Sequence, residues 1–491
     1  MKKQHPSQSG SITVYLALVF SVMVSLVYGL LLSVKVSAGR MQAANAADQS
    51  IYSLFAHFDR QAAEDFGLFF IWTGRSSGGP DPGACIRELE DASDYLLDPN
   101  KGRVFFKGSA VLKLQRESCA VTGYTLLTDA GGAPFRRQAE QAVKDTFGIS
   151  ALSRLQELAA GTKDTEEQGK QLLEASGKES FDQLQAEADE ARKRREQEAE
   201  EAGTEVTEPA VPEGFSNPLP FLRQLMKEAV LDIAAPEGVS DKKTQSSLLV
   251  SGRTLSRGVG VINAECGSSD LYLKSFIHRN FSSYKKAAAD TGLAYQKEYI
   301  LCGKESDLEN MKETVHRLML MREAANIAGI YRDEVLSGIL SKNASLIASV
   351  MGIPAASAAI KLLLASGWAY AESVVDIRAL FMGKRVSLIK TSSSWQTGLD
   401  QIRNIRSGID SLTKDTEGGL RYDDYLGMLL VASGDDLTMR TMDMLEMVLQ
   451  GKDRGSFRLD SCMTALAAEM KVRSEGKVSF TVKTEMDYDT F

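Results

Sequence analysis

Few residues of this sequence have types and spacings that would support catalysis or metal binding. The chain has four histidines, His5, His57, His278 and His316. Glu313-x-x-His316 has the spacing of one half of a di-iron carboxylate site, which needs a second Glu-x-x-His and further glutamates. No second Glu-x-x-His occurs in the sequence. We therefore predict no metal-ligating residue.

The sequence also lacks the short motifs that mark common catalytic sites. It contains no glycine-rich phosphate-binding loop, no G-x-S-x-G nucleophile elbow and no H-E-x-x-H zinc motif. Asp423-Asp424 and the acidic tail Glu485–Asp489 could bind a cation weakly, although solvated carboxylates are the commoner interpretation. We predict no catalytic residue, no cofactor-binding residue, no cofactor, and a protein that is not an enzyme.

The charge balance argues against a nucleic-acid surface. The chain of 491 residues has a formal net charge of -8, and no stretch clusters enough lysine and arginine to neutralise many phosphates. The length exceeds that of one ordinary hydrophobic core, which predicts about two to four folding units.

The five cysteines are far apart in the sequence and leave two interpretations open. No Cys-x-x-Cys occurs, so a zinc site is not predicted. In an oxidising compartment Cys85 could pair with Cys119 and Cys266 with Cys302, leaving Cys462 over. The alternative is five buried or free thiols.

The N-terminal region contains a hydrophobic run long enough to cross a membrane. Ile12–Val34 has 23 residues without a charge. At about 1.5 Å per residue this run spans a hydrocarbon core of roughly 30 Å. A cleaved signal peptide is the alternative, because Val36-Ser37-Ala38 loosely fits a cleavage site, but such peptides have shorter apolar regions. We predict a transmembrane helix.

Small residues recur at every fourth position through this run. Small side chains let helix backbones approach closely in lipid, where packing drives association. A period of four drifts slowly around a helix of 3.6 residues per turn, which favours a right-handed crossing. Chance is the alternative, since serine and alanine are common in such helices. We predict a helix-packing face that consists of Ala17, Ser21, Ser25, Gly29, Ser33 and Ser37.

The hydrophobic pattern and the charge density divide the chain into segments. Apolar periodicity continues beyond Lys35 and predicts one helix from Ile12 to about Glu64. Residues 163–203 contain 20 charged residues among 41, too many to form a core. The predicted segments are a cytoplasmic head (1–11), a transmembrane helix (12–34), a helix stalk with a small α+β unit (35–160), a charged linker or solvated helix (161–214) and a mainly helical domain with a C-terminal strand (215–491).

The predicted fold class is mostly α with a small β part (α+β). Short apolar or alternating runs predict strands at 66–72, within 103–128 and at 477–484, and the last could join the early ones. Helical periodicity predicts a helix over about 133–158 and helices throughout 215–470. Examples are Leu219–Ile233, Asp270–Ala289, Ser306–Ala328 and Asp423–Val431.

Ala344–Leu380 is the second apolar stretch of the chain. Pro354 would kink a helix here, and Lys361 interrupts the apolar run after 17 uncharged residues, just short of a membrane span. We therefore predict a buried helical hairpin rather than a second membrane crossing.

Several stretches carry a resemblance to a known family. They are Gly10–Leu18, Ala38–Phe58, Gly67-Leu68-Phe69, Phe135-Arg136-Arg137-Gln138, Glu298–Asp307, Trp368–Leu380 with Lys390 and Trp395, and Tyr422-x-Asp424-Tyr425-Leu426. Together they resemble an uncharacterised bacterial membrane-protein family, domain of unknown function 5702, found near tight-adherence (Tad) pilus genes. The resemblance covers nearly the whole chain, and the family has no established activity.

The head of the sequence is also similar to prepilin signals of the TadE/TadG kind. In those proteins a peptidase cuts after a glycine that precedes the membrane helix, and the corresponding bond here joins Gly10 to Ser11. Such pilins usually carry glutamate five residues after the cut, where this chain has Tyr15. This departure leaves both cleavage after Gly10 and incorporation into a filament open.

The resemblance implies a pseudopilin-like or accessory structural protein of a Tad-type pilus or secretion apparatus. It also implies a single-pass cell-membrane protein with a cytoplasmic N-terminus, an orientation that the short, polar head favours as well. Charge indicates no orientation, since each side of the span has two basic residues. The expected partners are the membrane and, through the transmembrane helix, other pilin-like proteins or a second copy. The alternative function is a membrane-anchored surface domain for adhesion or partner binding, independent of pili.

Overall fold

The computed structural model describes a chain that is mostly helical with a small antiparallel sheet, so the predicted fold class is confirmed. The strand predicted at Val104–Phe106, Cys266 and residues 1–8 of the head lie outside the described residues. The described residues are 9–75, 78–98, 112–145, 149–177, 180–205, 211–235, 238–260, 269–288, 291–434, 436–451, 454–474 and 478–488.

The described residues form α-helices, short 3-10 turns and four strands. The helices are α1 (Ser9–Phe55), α2 (Arg60–Phe66), α3 (Pro82–Leu97), α4 (Asp129–Lys144), α5 (Ile149–Ser176), α6 (Phe181–Ala202), α7 (Leu219–Leu225), α8 (Val230–Ala234), α9 (Asp270–Asn280), α10 (Gln296–Cys302), α11 (Asp307–Arg332), α12 (Glu334–Met351), α13 (Ser357–Phe381), α14 (Ile405–Leu412), α15 (Tyr422–Ala432) and α16 (Thr438–Gln450). The strands are β1 (Ile71–Trp72), β2 (Leu114–Leu126), β3 (Cys462–Ser474) and β4 (Ser479–Asp487).

The chain divides into two compact units. The sheet unit consists of Met1–Ala139, Thr254–Gly267 and Asp453–Phe491, and the helical unit of Glu140–Arg253 and Ser268–Lys452. The C-terminal strands therefore belong with the N-terminal helix, whereas the sequence-based segments placed them in a domain that begins at 215. Strand pairing joins residues that are hundreds of positions apart, and no local pattern encodes that.

Helix α1 ends at Phe55, so the prediction of one helix to Glu64 was wrong. The Asp59 N–H donates to the Phe70 carbonyl oxygen (2.9 Å), and its carboxylate accepts from the Ala62 N–H (3.0 Å). An aspartate in this position caps the first turn of a new helix, α2, by satisfying an N–H that has no helical partner. The apolar periodicity continues through the break, which is why the pattern alone did not predict it.

Strand β3 is the centre of the sheet. It pairs antiparallel with β2 on one edge and with β1 and β4 on the other. The prediction of helices throughout 215–470 was wrong over 462–470, although alanine, leucine, methionine and glutamate there favour a helix. Backbone pairing on both edges and burial of Met463, Leu466 and Met470 override this preference.

Strand β4 runs alongside α1 in the same direction. From Gly39 to Phe55, α1 advances 16 residues, about 24 Å. The residues that they contact, Phe480 and Tyr488, are eight positions apart in extended chain, about 26 Å. This match keeps the helix and strand in step, so α1 packs lengthwise on the sheet. The contacts are a Cβ position of Gly39 at 3.1 Å from the Phe480 ring, Thr484 Oγ1 donating to Asp48 Oδ1 (2.8 Å), and the Tyr488 hydroxyl donating to the Phe55 carbonyl oxygen (2.5 Å).

The core of the helical unit is built around α11 and α13, which pack against each other and against α5 and α12. Each fully buried large aliphatic side chain there contributes about 1.5–3 kcal/mol. The predicted buried hairpin is confirmed: α12 ends at Gly352 in a left-handed conformation (φ +73°), Pro354 follows, and α13 returns against α12. Pro354–Phe381 is apolar enough to cross a membrane, but 72% of its most apolar window is buried within this unit.

The segment predicted as a charged linker or solvated helix, 161–214, contains α6 and the C-terminal part of α5. Helix α5 packs closely on α11, since a Cβ atom on Gly169 would lie 1.9 Å from the Ala324 carbonyl oxygen. Helix α6 carries ion pairs between successive turns, such as Arg192 with Glu196 (3.0 Å). The predicted boundary at 161 therefore falls inside a helix that is packed on the core.

Several element boundaries differ from the predictions. Gly67 adopts a left-handed conformation (φ +69°) and ends α2, which shortens the strand predicted at 66–72 to β1. Two helices, α4 and α5, occupy the region of the helix predicted over 133–158. The predicted Leu219–Ile233 is divided between α7 and α8, and the helix predicted from Asp270 ends at Asn280.

Candidate functional site

Helix α1 presents a continuous apolar surface to its surroundings. Every residue from Ile12 to Lys35 is exposed, with Tyr15 and Phe20 at 69%, and burial begins at Val36. Soluble proteins rarely expose contiguous apolar patches larger than a few hundred Å². The N-terminal helix is long and apolar enough to span a membrane.

The predicted helix-packing face lies entirely on this exposed helix. Ser25 Oγ donates to the Ser21 carbonyl oxygen (2.8 Å), and a Cβ atom on Gly29 would have no atom of the chain within 4 Å. Gly10 and Ser11 lie in the first turns of α1, where the side chains are outside the description. Close packing of this face against another helix stays a prediction. The six residues are Ala17, Ser21, Ser25, Gly29, Ser33 and Ser37.

The residues with candidate spacings for metal binding have other partners. Glu313 forms an ion pair with Arg317 (3.1 Å) instead of meeting His316, which is exposed. Asp423 is paired with the Lys297 ammonium (3.3 Å). Within the described part of the chain, no group of three histidine, cysteine or carboxylate side chains is placed to hold a metal ion.

The cysteines are free thiols wherever the structure describes them. Cys85 Sγ lies 3.8 Å from Met463 Sδ, whereas Cys119 is the register partner of Met470. Seven residues of extended β3 separate these two positions, about 23 Å, and a disulfide needs Cα atoms within about 7 Å. The suggested Cys85–Cys119 pairing is therefore wrong, because α3 and β2 place the two thiols at different levels of the sheet.

The helical unit contains a buried ion network that joins α11, α13 and the segment after α13. Arg322 on α11 donates from Nε (3.0 Å) and Nη2 (2.9 Å) to Asp376 Oδ2 on α13. Lys390 forms ion pairs with Asp376 (2.5 Å) and with Glu372, one turn earlier on α13. All four charged side chains are fully buried.

Further hydrogen bonds complete this ion network. Glu372 accepts from the Gln396 N–H (2.9 Å), the Thr397 N–H (2.9 Å) and the Thr397 hydroxyl (2.7 Å). Arg322 Nη1 also donates to the Leu388 carbonyl oxygen (2.8 Å) and to the Tyr425 hydroxyl (3.1 Å). These bonds attach the segment after α13 to the two central helices of the core.

Charge balance makes the network a structural element. Burial alone would raise the pKa of Asp376, but the adjacent Lys390 and Arg322 charges outweigh it and hold the pKa below its usual value. The two cations and two anions of the four charged side chains cancel in a region without solvent. Removing one partner from such a pair leaves an uncompensated buried charge and costs about 3–5 kcal/mol.

A second buried centre surrounds Glu298 on α10. Its Oε1 accepts from the Tyr284 N–H (2.9 Å) and from the Tyr422 hydroxyl (2.9 Å), and its Oε2 has no hydrogen-bond partner among the described residues. Burial raises the pKa of Glu298 to about 7, with hydrogen bonding acting in the opposite direction. The fully buried carboxyl therefore changes its protonation state near neutral pH.

Sequence reasoning did not identify Arg322 or its partner Asn326. Both lie on the same face of α11, four residues apart, and Glu372 and Asp376 have the same spacing within the most apolar part of α13. Opposite charges at such positions in two apolar helices are a signal for a buried ion pair. The family resemblance included Glu372, Asp376 and Lys390 but assigned them no role.

The helical unit also has a small cleft of about 170 Å³. Typical ligand pockets have about 300–1,000 Å³ and bring several polar groups together. Here Arg223 on the cleft wall is already paired with Asp182. The cleft lining consists of Phe181, Leu184, Gln185, Asn217, Leu219, Pro220, Arg223 and Met351.

Comparison with known proteins gives one match. The model of a family of unknown function (DUF5702) matches residues 209–474, more than half of the chain, including α7 to α16 and β3. No curated protein and no solved structure matches the chain. The matched region contains both buried centres, and the exposed helix α1 precedes it. The chain belongs to the DUF5702 family, whose function is unknown.

Proposed function

We propose that this protein is a membrane-anchored structural component, pseudopilin-like or accessory, of a Tad-type pilus or secretion apparatus. The observation that carries the proposal is the division of α1 into two halves. Ile12–Val34 is entirely exposed and apolar, while the part from Val36 to Phe55 packs on an antiparallel sheet. This arrangement is similar to the pilin-like form that the sequence of the head implies.

The ionisable groups of the helical unit support a structural role. The Arg322, Glu372, Asp376 and Lys390 charges are neutralised inside the core, and none of these residues lines the cleft of about 170 Å³ in the same unit. A catalytic carboxylate or lysine needs access to a substrate, and these side chains are fully buried. We therefore propose no enzymatic activity.

The proposed location is the cell membrane, with one crossing, a cytoplasmic N-terminus and the rest of the chain extracytoplasmic. A reporter fused after Phe491 that is active only outside the cytoplasm tests this topology. Protease added to intact protoplasts should then remove both units. A protected C-terminus would contradict the proposal and would indicate the opposite orientation or a second crossing.

The proposed partners are other pilin-like membrane proteins or a second copy, bound through α1. Deletion of the protein should abolish piliation, and a copy that lacks 12–34 should fail to restore it. Normal pili with lost adhesion would instead support a surface domain that acts independently of pili. Normal pili and normal adhesion would contradict both functions.

Processing of the head needs a separate measurement. Intact-mass analysis of membrane-extracted protein distinguishes a chain that begins at Met1 from one that begins at Ser11. A Gly10→Leu variant is the matched control, because bulky residues before the cut should block a prepilin-type peptidase. A mass that corresponds to Ser11 in the wild type alone would support incorporation as a processed subunit.

A further inference from the structure

The sheet unit begins very close to the end of the exposed apolar run of α1. Val34 is the last residue of the run, and at Gly39 a Cβ atom would already lie 3.1 Å from Phe480 and 3.9 Å from Leu114. Five residues of helix rise about 7.5 Å. The headgroup layer on each side of a bilayer is about 5–8 Å thick, so Gly39 lies at the outer boundary of that layer.

Strand directions identify which end of the sheet faces the membrane. Strand β4 starts beside Gly39 and runs away from the membrane along α1. Because β3 is antiparallel to β4, and β2 to β3, the C-terminal end of β3 and the N-terminal end of β2 point towards the membrane. Leu114 and Ser474 are register partners at this end of the sheet unit, which we call the membrane-proximal end.

Basic side chains are concentrated at the membrane-proximal end. Lys35 and Arg40 on α1 and Lys113 before β2 are exposed, and the Arg473 side chain, which is 58% exposed, forms an ion pair with Glu117. This end also has Arg116, which pairs with Glu90 and Asp94, the exposed Lys471 and the exposed Asp98. The basic residues therefore outnumber the acidic ones by six to four.

We infer that the membrane-proximal end of the sheet unit rests on the headgroup layer and binds anionic phospholipid through Lys35, Arg40 and Lys113. This inference rests on the proposed membrane anchor. Charge complementarity identifies the partner, since basic groups within a few Å of a bilayer attract anionic headgroups, by about fivefold in affinity per residue. Val478, which is 37% exposed and directly precedes β4, adds an apolar contact at the same level.

The anchor makes this binding intramolecular. Helix α1 and the sheet packed on it hold the three basic side chains at headgroup height, so the contact needs no separate encounter with the membrane. As a consequence, the sheet unit stays at a fixed height above the bilayer. Where the bilayer is anionic, the backbone amides at the membrane-proximal end are protected from hydrogen exchange. Salt weakens the contact, because the Debye length falls to about 3 Å at 1 M.

Hydrogen exchange of the full-length protein in nanodiscs tests the inference. Phosphatidylcholine alone is compared with an equal mixture of phosphatidylcholine and phosphatidylglycerol. Amides in 112–116 and 471–481 should exchange at least about fivefold more slowly in the anionic nanodiscs, and 1 M salt should remove the difference. Amides in 120–126, at the far end of β2, should exchange equally in both lipids and report an intact fold.

Two charge-matched variants separate this surface from general attraction. In the triple variant Lys35→Gln/Arg40→Gln/Lys113→Gln, amide exchange should no longer differ between the two lipids. Arg60→Gln/Arg87→Gln/Lys483→Gln, which removes three exposed basic residues elsewhere on the sheet unit, should keep this difference. Equal exchange in the two lipids, or equal loss in the two variants, would overturn the inference. Release of the protein by alkaline carbonate would instead refute the membrane anchor itself.

Discussion

Replacing Glu298 with glutamine should remove a pH-dependent loss of stability from the helical unit. Burial raises the pKa of this carboxyl from 4.5 to about 7. The folded state therefore binds more protons than the unfolded state between these two values. The free energy of unfolding must then fall as the pH rises through this window, because deprotonation leaves a buried, uncompensated charge.

The size of the effect follows from proton linkage. With a pKa of 4.5 in the unfolded chain and about 7 in the folded one, ionisation of Glu298 lowers the free energy of unfolding by about 1 kcal/mol at pH 5.5 and by about 3 kcal/mol at pH 8. Between these pH values the wild type should lose about 2 kcal/mol that the Glu298→Gln variant does not lose. Glutamine keeps an acceptor for the Tyr284 N–H and the Tyr422 hydroxyl.

Urea denaturation of the full-length protein in detergent, at pH 5.5 and pH 8, measures this difference. Trp368 and Trp395 stack edge to face in the helical unit, with ring centroids 5.1 Å apart, so their fluorescence reports its unfolding. A Trp72→Phe background removes the single tryptophan of the sheet unit. The quantity compared is the change in free energy of unfolding between the two pH values.

The difference between the pH-dependent losses of the wild type and of Glu298→Gln isolates the contribution of Glu298 from that of its titrating neighbours. Burial first, and then the Lys297 charge, lowers the pKa of His278, so this side chain makes stability rise with pH and acts in the opposite direction. Burial also raises the pKa of Glu323 to about 7, which acts in the same direction as Glu298. Both contributions are present in the wild type and in Glu298→Gln. Equal pH-dependent losses in the two proteins would refute the reasoning.

Three further predictions concern packing. Arg322→Met should lower the free energy of unfolding by about 3–5 kcal/mol in the same urea assay, because it leaves Asp376 buried with one cation fewer. Gly169→Ala should destabilise the helical unit by about 1–3 kcal/mol or more, since the new methyl group would overlap the Ala324 carbonyl and force α5 away from α11. Gly29→Leu should weaken self-association of residues 1–50 in a two-hybrid assay for membrane helices, because it separates the helix axes.

Each of these predictions has a matched control. The double variant Arg322→Met/Asp376→Leu should recover much of the stability, since the Lys390–Glu372 pair remains neutral. Gly161→Ala, in the same helix as Gly169 but with open space around it, should be neutral or stabilising by up to about 1 kcal/mol. Leu26→Ile should leave association unchanged. Equal effects of a test variant and its control would contradict that prediction.

The local features of this chain could be predicted from its sequence. The length of the charge-free run Ile12–Val34 predicts a helix of membrane-spanning length, and α1 contains the whole run. Pro354 divides the second apolar stretch, and a hairpin forms there. Such features depend on residues within one or two helical turns of each other, so composition and periodicity are sufficient to predict them.

The buried centres could be recognised only in part. Glu298, Glu372 and Asp376 are part of the family resemblance, but their partners lie far away in the sequence. Arg322 is 54 residues from Asp376, and Tyr422 is 124 residues from Glu298. Nothing in the local pattern indicates which cation neutralises which carboxylate, or that one oxygen of Glu298 has no hydrogen-bond partner among the described residues.

Composition and periodicity are sufficient to predict the apolar N-terminal helix and the predominance of helices. They do not indicate that 462–474 is a central strand, that α1 ends at Phe55, or that Cys85 and Cys119 are too far apart to pair, because these features depend on contacts between distant parts of the chain. The physical reason is the range of the interactions. Helix periodicity is set by neighbours three or four residues apart, whereas β3 gains its hydrogen bonds from β2, more than 330 residues earlier in the chain.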